Sequence, residues 1–135
     1  MKQLFLVILT GLIFIGCDKN HKEFTLKTIK LNSYKSINLP AQNLSFRIVQ
    51  GINTQTPLAA TDTYPTKLPL PVTLAVTPSL SAKLYSQSYS IQLLGDSTGL
   101  IGSCTVDMDQ YKIIFPIEME IENEEMNISI SGSWH

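Results

Sequence analysis

The sequence predicts an all-β protein, an antiparallel β-sandwich of about seven or eight strands, and three observations carry that reading. Apolar and polar residues alternate with a period of two in one run after another, as strands with a single buried face require. The runs are separated by Gly, Pro, Asn, Asp and Ser clusters at the intervals typical of sandwiches and barrels. Beyond the first seventeen residues no stretch shows the 3.6-residue period of an amphipathic helix.

Those first residues form a separate unit. Lys2 precedes an apolar run from Leu4 to Ile15, which ends in Gly16-Cys17 and turns polar at Asp18-Lys19-Asn20. A charged start, a short apolar segment and a small residue before the cut describe a secretory signal. The run is shorter than the roughly 20 residues that span a bilayer. Phe14-Ile15-Gly16-Cys17 resembles the lipobox of bacterial lipoproteins, which usually carries Leu and a small residue where Phe14 and Ile15 stand. In that family the cysteine receives a diacylglycerol and becomes the acylated first residue. The resemblance therefore implies removal of residues 1–16, a lipid on Cys17, and attachment to a membrane of the bacterial cell envelope. The outer membrane, facing the periplasm or the surface, is the expected site, with the inner membrane open because Asp18 resembles a retention signal of some enteric bacteria. Three acyl chains exceed the two signals that stable anchoring takes. The alternative is a plain secretory signal whose small-residue site holds a cysteine.

Removing residues 1–16 leaves 119, enough for a single modest core, so residues 17–23 read as a polar tether and 24–135 as one domain. Phe24 to Leu31 alternates and is the first strand, and Leu44 to Val49 is the second, bounded by Pro40 and the turn region at Gly51. Between Pro57 and Pro78 five prolines (57, 65, 69, 71 and 78) remove ladder donors, which confines the segment to edge strands and connections. Val72 to Val76 is still apolar enough to be a strand among them. Tyr89 to Leu94 is the next and runs into Gly95-Asp96-Ser97-Thr98-Gly99, a loop because glycine permits positive φ while Asp and Ser bond nearby backbone. Leu100 to Val106, Ile117 to Ile121 and Met126 to Ile130 complete the set, with Asn123-Glu124-Glu125 as the turn between the last two.

Composition excludes more than it assigns. Ten basic residues against eleven acidic ones leave no basic field for nucleic acid. With Cys17 lipidated, Cys104 is the one remaining thiol, so an intrachain disulfide and a cysteine metal site are both ruled out, and Cys104 reads as a small apolar strand residue. The two histidines, His21 and His135, fall in the tether and at the carboxyl end, away from any place where a folded site would hold a general base or zinc ligand. No catalytic residue, cofactor or metal site is expected. Glu118, Glu120 and Glu122 alternate with Ile117, Met119 and Ile121, which places the carboxylates on one sheet face and the apolar side chains in the core. Such a ladder could meet a hard cation or a basic partner. The competing reading is a solvated face whose like charges discourage edge pairing. Asp107 and Asp109 read as closing a strand.

Taken together, the segments Phe24 to Leu31, Pro40-Ala-Gln-Asn-Leu-Ser-Phe-Arg-Ile48 and Tyr89 to Val106 resemble a C2 domain, the β-sandwich known for calcium-dependent phospholipid binding. The resemblance implies a C2-like or similar Greek-key topology. It also marks a departure, because Asn43 and Gly95 stand where that family places aspartates and only Asp96 remains. One carboxylate cannot supply the six to eight oxygens that Ca²⁺ takes.

The sequence thus points to a membrane-anchored, non-catalytic envelope lipoprotein whose sandwich loops contact a protein or a glycan. The contact residues expected are Asp96, Ser97 and Thr98 in the loop, with Tyr34 and Tyr64, since exposed tyrosines are favoured at interfaces. An inhibitor or assembly helper acting on another envelope protein is the alternative, and an enzyme with an unconventional carboxylate site comes third.

Overall fold

A computed structural model describes residues 23–51, 56–83, 88–107 and 118–134. Cys17 and the segment before it, the histidines, Asp109 and Ile117 lie outside the described residues. Among the described residues nine strands follow in order: β1 (Glu23–Tyr34), β2 (Asn43–Gln50), β3 (Ala59–Thr61), β4 (Tyr64–Pro65), β5 (Val72–Lys83), β6 (Ser88–Gly95), β7 (Gly99–Asp107), β8 (Glu118–Glu122) and β9 (Met126–Trp134). Among the described residues there is no helix.

Every pairing is antiparallel, and the strands form one sheet in the order β7-β6-β2-β3-β5-β1-β9-β8, with β4 also on β2. The sheet folds over at β5, which pairs with β1 on one side and β3 on the other. That gives two layers, β8-β9-β1-β5 against β7-β6-β2 with the short β3 and β4. The two outer strands, β7 and β8, return toward each other, so the sandwich is nearly a closed barrel. The all-β antiparallel class read from the sequence is the class found.

Two irregularities explain how this sequence fits. In β1 the polar pair Lys27-Thr28 interrupts the alternation, and a regular strand would turn Ile29 and Leu31 toward solvent. A bulge between Leu26 and Thr28, present in both of its ladders, absorbs the slip. Phe24, Leu26, Ile29 and Leu31 are consequently all buried. Opposite this bulge lies Gly132, whose place no larger residue could take, because a Cβ there would sit 1.8 Å from the Thr25 carbonyl oxygen.

The second irregularity is in β5. The prolines predict an edge or a connection, yet β5 lies inside the sheet and runs to Lys83. Its residues 72–75 and 80–83 pair with β1, whereas Val76 and Thr77 pair with β3. Pro78 falls in the gap, where no donor to β1 is needed. β3 and β4, which the sequence reading leaves as connection, raise the count from seven or eight strands to nine.

The core is the inner face of both layers. Phe24, Phe46, Ile29, Leu31, Leu44, Ile48, Ile91, Leu93, Ile128 and Ile130 are its largest fully buried side chains. A void of about 20 Å³ among Phe24, Leu26, Ile48, Leu80, Tyr89, Ile91, Val106 and Ile130 is wholly apolar. It has room for about one water but offers no polar surface to hold it.

Candidate functional site

Antiparallel order sorts the connections to two rims of the barrel. One, the loop rim, carries residues 35–42 between β1 and β2, 66–71 between β4 and β5, 96–98 between β6 and β7, and 123–125 between β8 and β9. The opposite, terminal rim carries the start of β1 and the end of β9, where Phe24 and Trp134 are register partners with ring centroids 5.0 Å apart. All five contact residues expected within the domain, Tyr34, Tyr64, Asp96, Ser97 and Thr98, fall on the loop rim.

The 96–98 turn is fastened from beneath. Asp96 N–H donates to the Asn43 carbonyl at 3.0 Å, while the Asn43 N–H and side-chain amide donate to the two Asp96 carboxylate oxygens, each at 3.0 Å. The backbone bond from Asn43, followed by the one from its side chain, holds the Asp96 carboxyl below its usual range. Beside this pair Gln42 is buried, and its Oε1 accepts from Ser97 N–H at 3.1 Å, Thr98 N–H at 3.0 Å and the Thr98 hydroxyl at 2.6 Å. Three donors on one oxygen fix the amide orientation, and Nε2 is left buried with no partner. Gly95 is required for this arrangement, since a Cβ there would fall 2.1 Å from Gln42 Oε1. Gln42 is tied to the neighbouring loop as well: its N–H donates to Thr66 Oγ1 at 3.0 Å and its carbonyl accepts from Thr66 N–H at 2.9 Å. Asn43 and Asp96, the positions to which the C2 resemblance drew attention, are therefore brought together and bonded to each other.

The tyrosines are half-buried rather than presented. Tyr34 ends β1 and packs against the core, as does Tyr64 in β4, whose hydroxyl donates to the Pro69 carbonyl. What the loop rim does expose is Ile37, Leu68, Leu70 and Leu100. Two open depressions flank it. One of about 210 Å³ is lined by Ala41, Gln42, Asn43, Pro65, Thr66 and Lys67. The other, of about 380 Å³, lies between residues 33–35 and 122–127.

The fourth loop closes the barrel seam. Asn123 Oδ1 accepts from the N–H groups of Glu125 at 2.9 Å and Met126 at 3.0 Å, which makes a tight turn. Glu125 Oε2 then accepts from Ser103 N–H at 2.8 Å, and Asn123 Nδ2 donates to the Ser103 carbonyl at 2.7 Å. A side-chain latch thus joins β7 to the β8–β9 turn where, among the described residues, no ladder does. On β8 itself Glu118, Glu120 and Glu122 are exposed and Met119 is buried, as the alternation predicts, whereas Ile121 is only half-buried against the core. Cys104 is buried in β7, and burial, with the Glu125 carboxylate adding to it, pushes its thiol up to about 12. Such a thiol is not a nucleophile at neutral pH.

Among the described residues no three of His, Cys, Asp and Glu converge as metal ligands would. Sequence reasoning passed over Gln42 and the Asn123–Glu125 latch, because both act through tertiary partners more than 15 residues away. The exposed leucines did leave a signal, in that Leu68-Pro69-Leu70-Pro71 places apolar side chains where prolines forbid an ordinary buried strand. The geometry defines an antiparallel β-sandwich, nearly closed, with one rim of four fastened loops. In comparisons with known proteins the chain matches no family model and no curated protein.

Proposed function

We propose that this chain is a lipid-anchored, non-catalytic envelope module that uses its loop rim to contact a protein or a glycan. One observation supports the reading above the others: β1 begins at the rim opposite the four loops. A lipid on Cys17 would be joined to Glu23 by a tether that spans at most roughly 20 Å. The terminal rim would then face the membrane and the loop rim would face away from it. The rim's own chemistry agrees with a binding surface. The Asp96 carboxylate and the Gln42 amide oxygen are engaged in holding loops, and the same rim exposes Ile37, Leu68, Leu70 and Leu100.

The test has two parts. Cys17→Ser should move the protein from the membrane to the soluble fraction, and undiminished retention of the variant would remove the anchor. A photo-crosslinking residue at Ser97 or Leu100 should capture a partner in intact cells, while the same residue at Ser88 on the terminal rim should not. Capture from Ser88 alone would refute the assignment of the loop rim.

A further inference from the structure

The seam between β7 and β8 is the one place where the sheet is joined by side chains rather than by a ladder among the described residues. Strand geometry makes the join informative. Both the N–H and the C=O of Ser103 point across the seam, and in a strand every second residue does the same, so those of Thr105 face it too. Glu125 offers Ser103 an acceptor and Asn123 offers it a donor, the pair that an adjoining strand's backbone would supply. From Gly99 to Val106 β7 carries no charge and no proline, two of the guards that natural edge strands use against pairing, and its register shift against β6 falls between Leu100 and Gly102, ahead of Ser103 and Thr105.

The two banks of the seam differ in a way that selects what could enter it. The inward positions of β7, Gly102, Cys104 and Val106, are buried, while Ser103 and Thr105 face out. On the far bank Met119 faces in, and Glu118, Glu120 and Glu122 face out and are exposed. A strand lying along β7 would therefore meet apolar surface with one set of alternate side chains and a row of carboxylates with the other. Opposite-charge pairs across neighbouring strands stabilise a sheet, and like charges oppose it.

We propose that the β7 edge accepts an extended peptide strand of a basic partner, with lysine or arginine alternating with apolar residues, and that Asn123 and Glu125 hold the seam shut until it arrives. Strands lie about 4.8 Å apart, so an entering strand must displace the latch, and its backbone takes over both bonds to Ser103. This surface meets the loop rim at Asn123 and Glu125 but runs from there along the side of the sandwich, and it stands whether or not Cys17 is lipidated.

A labelled seven-residue peptide alternating lysine and valine provides the probe, read by fluorescence anisotropy on the soluble domain, residues 18–135, and on the full chain in detergent. Its controls are a glutamate-for-lysine twin and a copy N-methylated at every second backbone nitrogen. The lysine peptide should bind at least tenfold more tightly than either control. The combined Glu118→Gln, Glu120→Gln and Glu122→Gln variant should lose at least tenfold. Removing the latch with Asn123→Ala and Glu125→Ala should tighten binding severalfold, and Thr105→Pro, which deletes one seam-facing donor without touching the β6 ladder, should abolish it. Circular dichroism confirms that each variant is folded. If the lysine peptide fails to bind, or the N-methylated copy binds equally well by charge alone, strand addition is overturned. If the latch-free variant instead dimerises in light scattering, a second copy fills the edge and the basic partner is overturned. If Thr105→Pro binds as the parent does, the site is not the β7 edge.

Discussion

Gln42 shows how much of the loop rim depends on a single side chain. Its Oε1 serves three donors from the 96–98 turn, and its backbone grips Thr66 in the next loop. Gln42→Ala would leave the Ser97 and Thr98 N–H groups without an acceptor, at about 1–3 kcal/mol. The expected result is a lower urea midpoint together with faster amide exchange at residues 96–98, and an unchanged exchange rate there would mean that the Asn43–Asp96 pair suffices. Cys104 makes a different prediction. Its folded pKa lies above the ordinary 9.0, at about 12. The thiol therefore contributes stability that is fully present below about pH 9 and is lost as pH rises toward 12, at ~1.4 kcal/mol per unit. Tyr89 is also raised, by burial first and then by Glu23, and adds to the same alkaline slope above its ordinary 10.0. Melting curves from pH 8 to 11 should flatten in Cys104→Ala and flatten further with Tyr89→Phe.

At the level of elements, β8 and β9 give the most direct check on strand polarity. Glu120 is exposed and accepts from the Asn127 side-chain amide at 2.9 Å, whereas Ile128 opposite Ile121 is fully buried. Glu120→Gln should shift stability by no more than ~0.5 kcal/mol, and Ile128→Ala should cost ~2–5. Urea unfolding of the two variants side by side decides it, and a more damaging glutamate change would mean that the carboxylates carry structural weight.

The same elements show what was legible in the sequence. Seven strands announce themselves by alternation because each buries one face along its length, and the 95–99 hairpin does so through turn chemistry. β3 and β4 could not, since three and two residues are too few to display a period. Prolines concealed the length of β5, whose ladder changes partner at Pro78. The rim was legible as a set of loop residues. Its fastening was not, because Gln42, Thr66 and Thr98 are distant in sequence and meet only through the sheet's tertiary arrangement.

For the whole molecule, the arrangement of the rims decides how it would carry load. β1 lies between β5 and β9, bonded to both along most of its length, and it begins beside the end of β9. A pull between residue 23 and the loop rim runs parallel to these strands, so all the bonds of two ladders share the force and must shear together. A pull between residues 23 and 134 peels β1 from β9 one bond at a time, starting at Phe24 and Trp134. Single-molecule stretching from residue 23 to Ser97 should therefore rupture at a distinctly higher force than stretching from residue 23 to Trp134, and equal forces would show that β1 is not the mechanical clamp. A module tethered at one rim and gripped at the other would meet tension along its strongest axis.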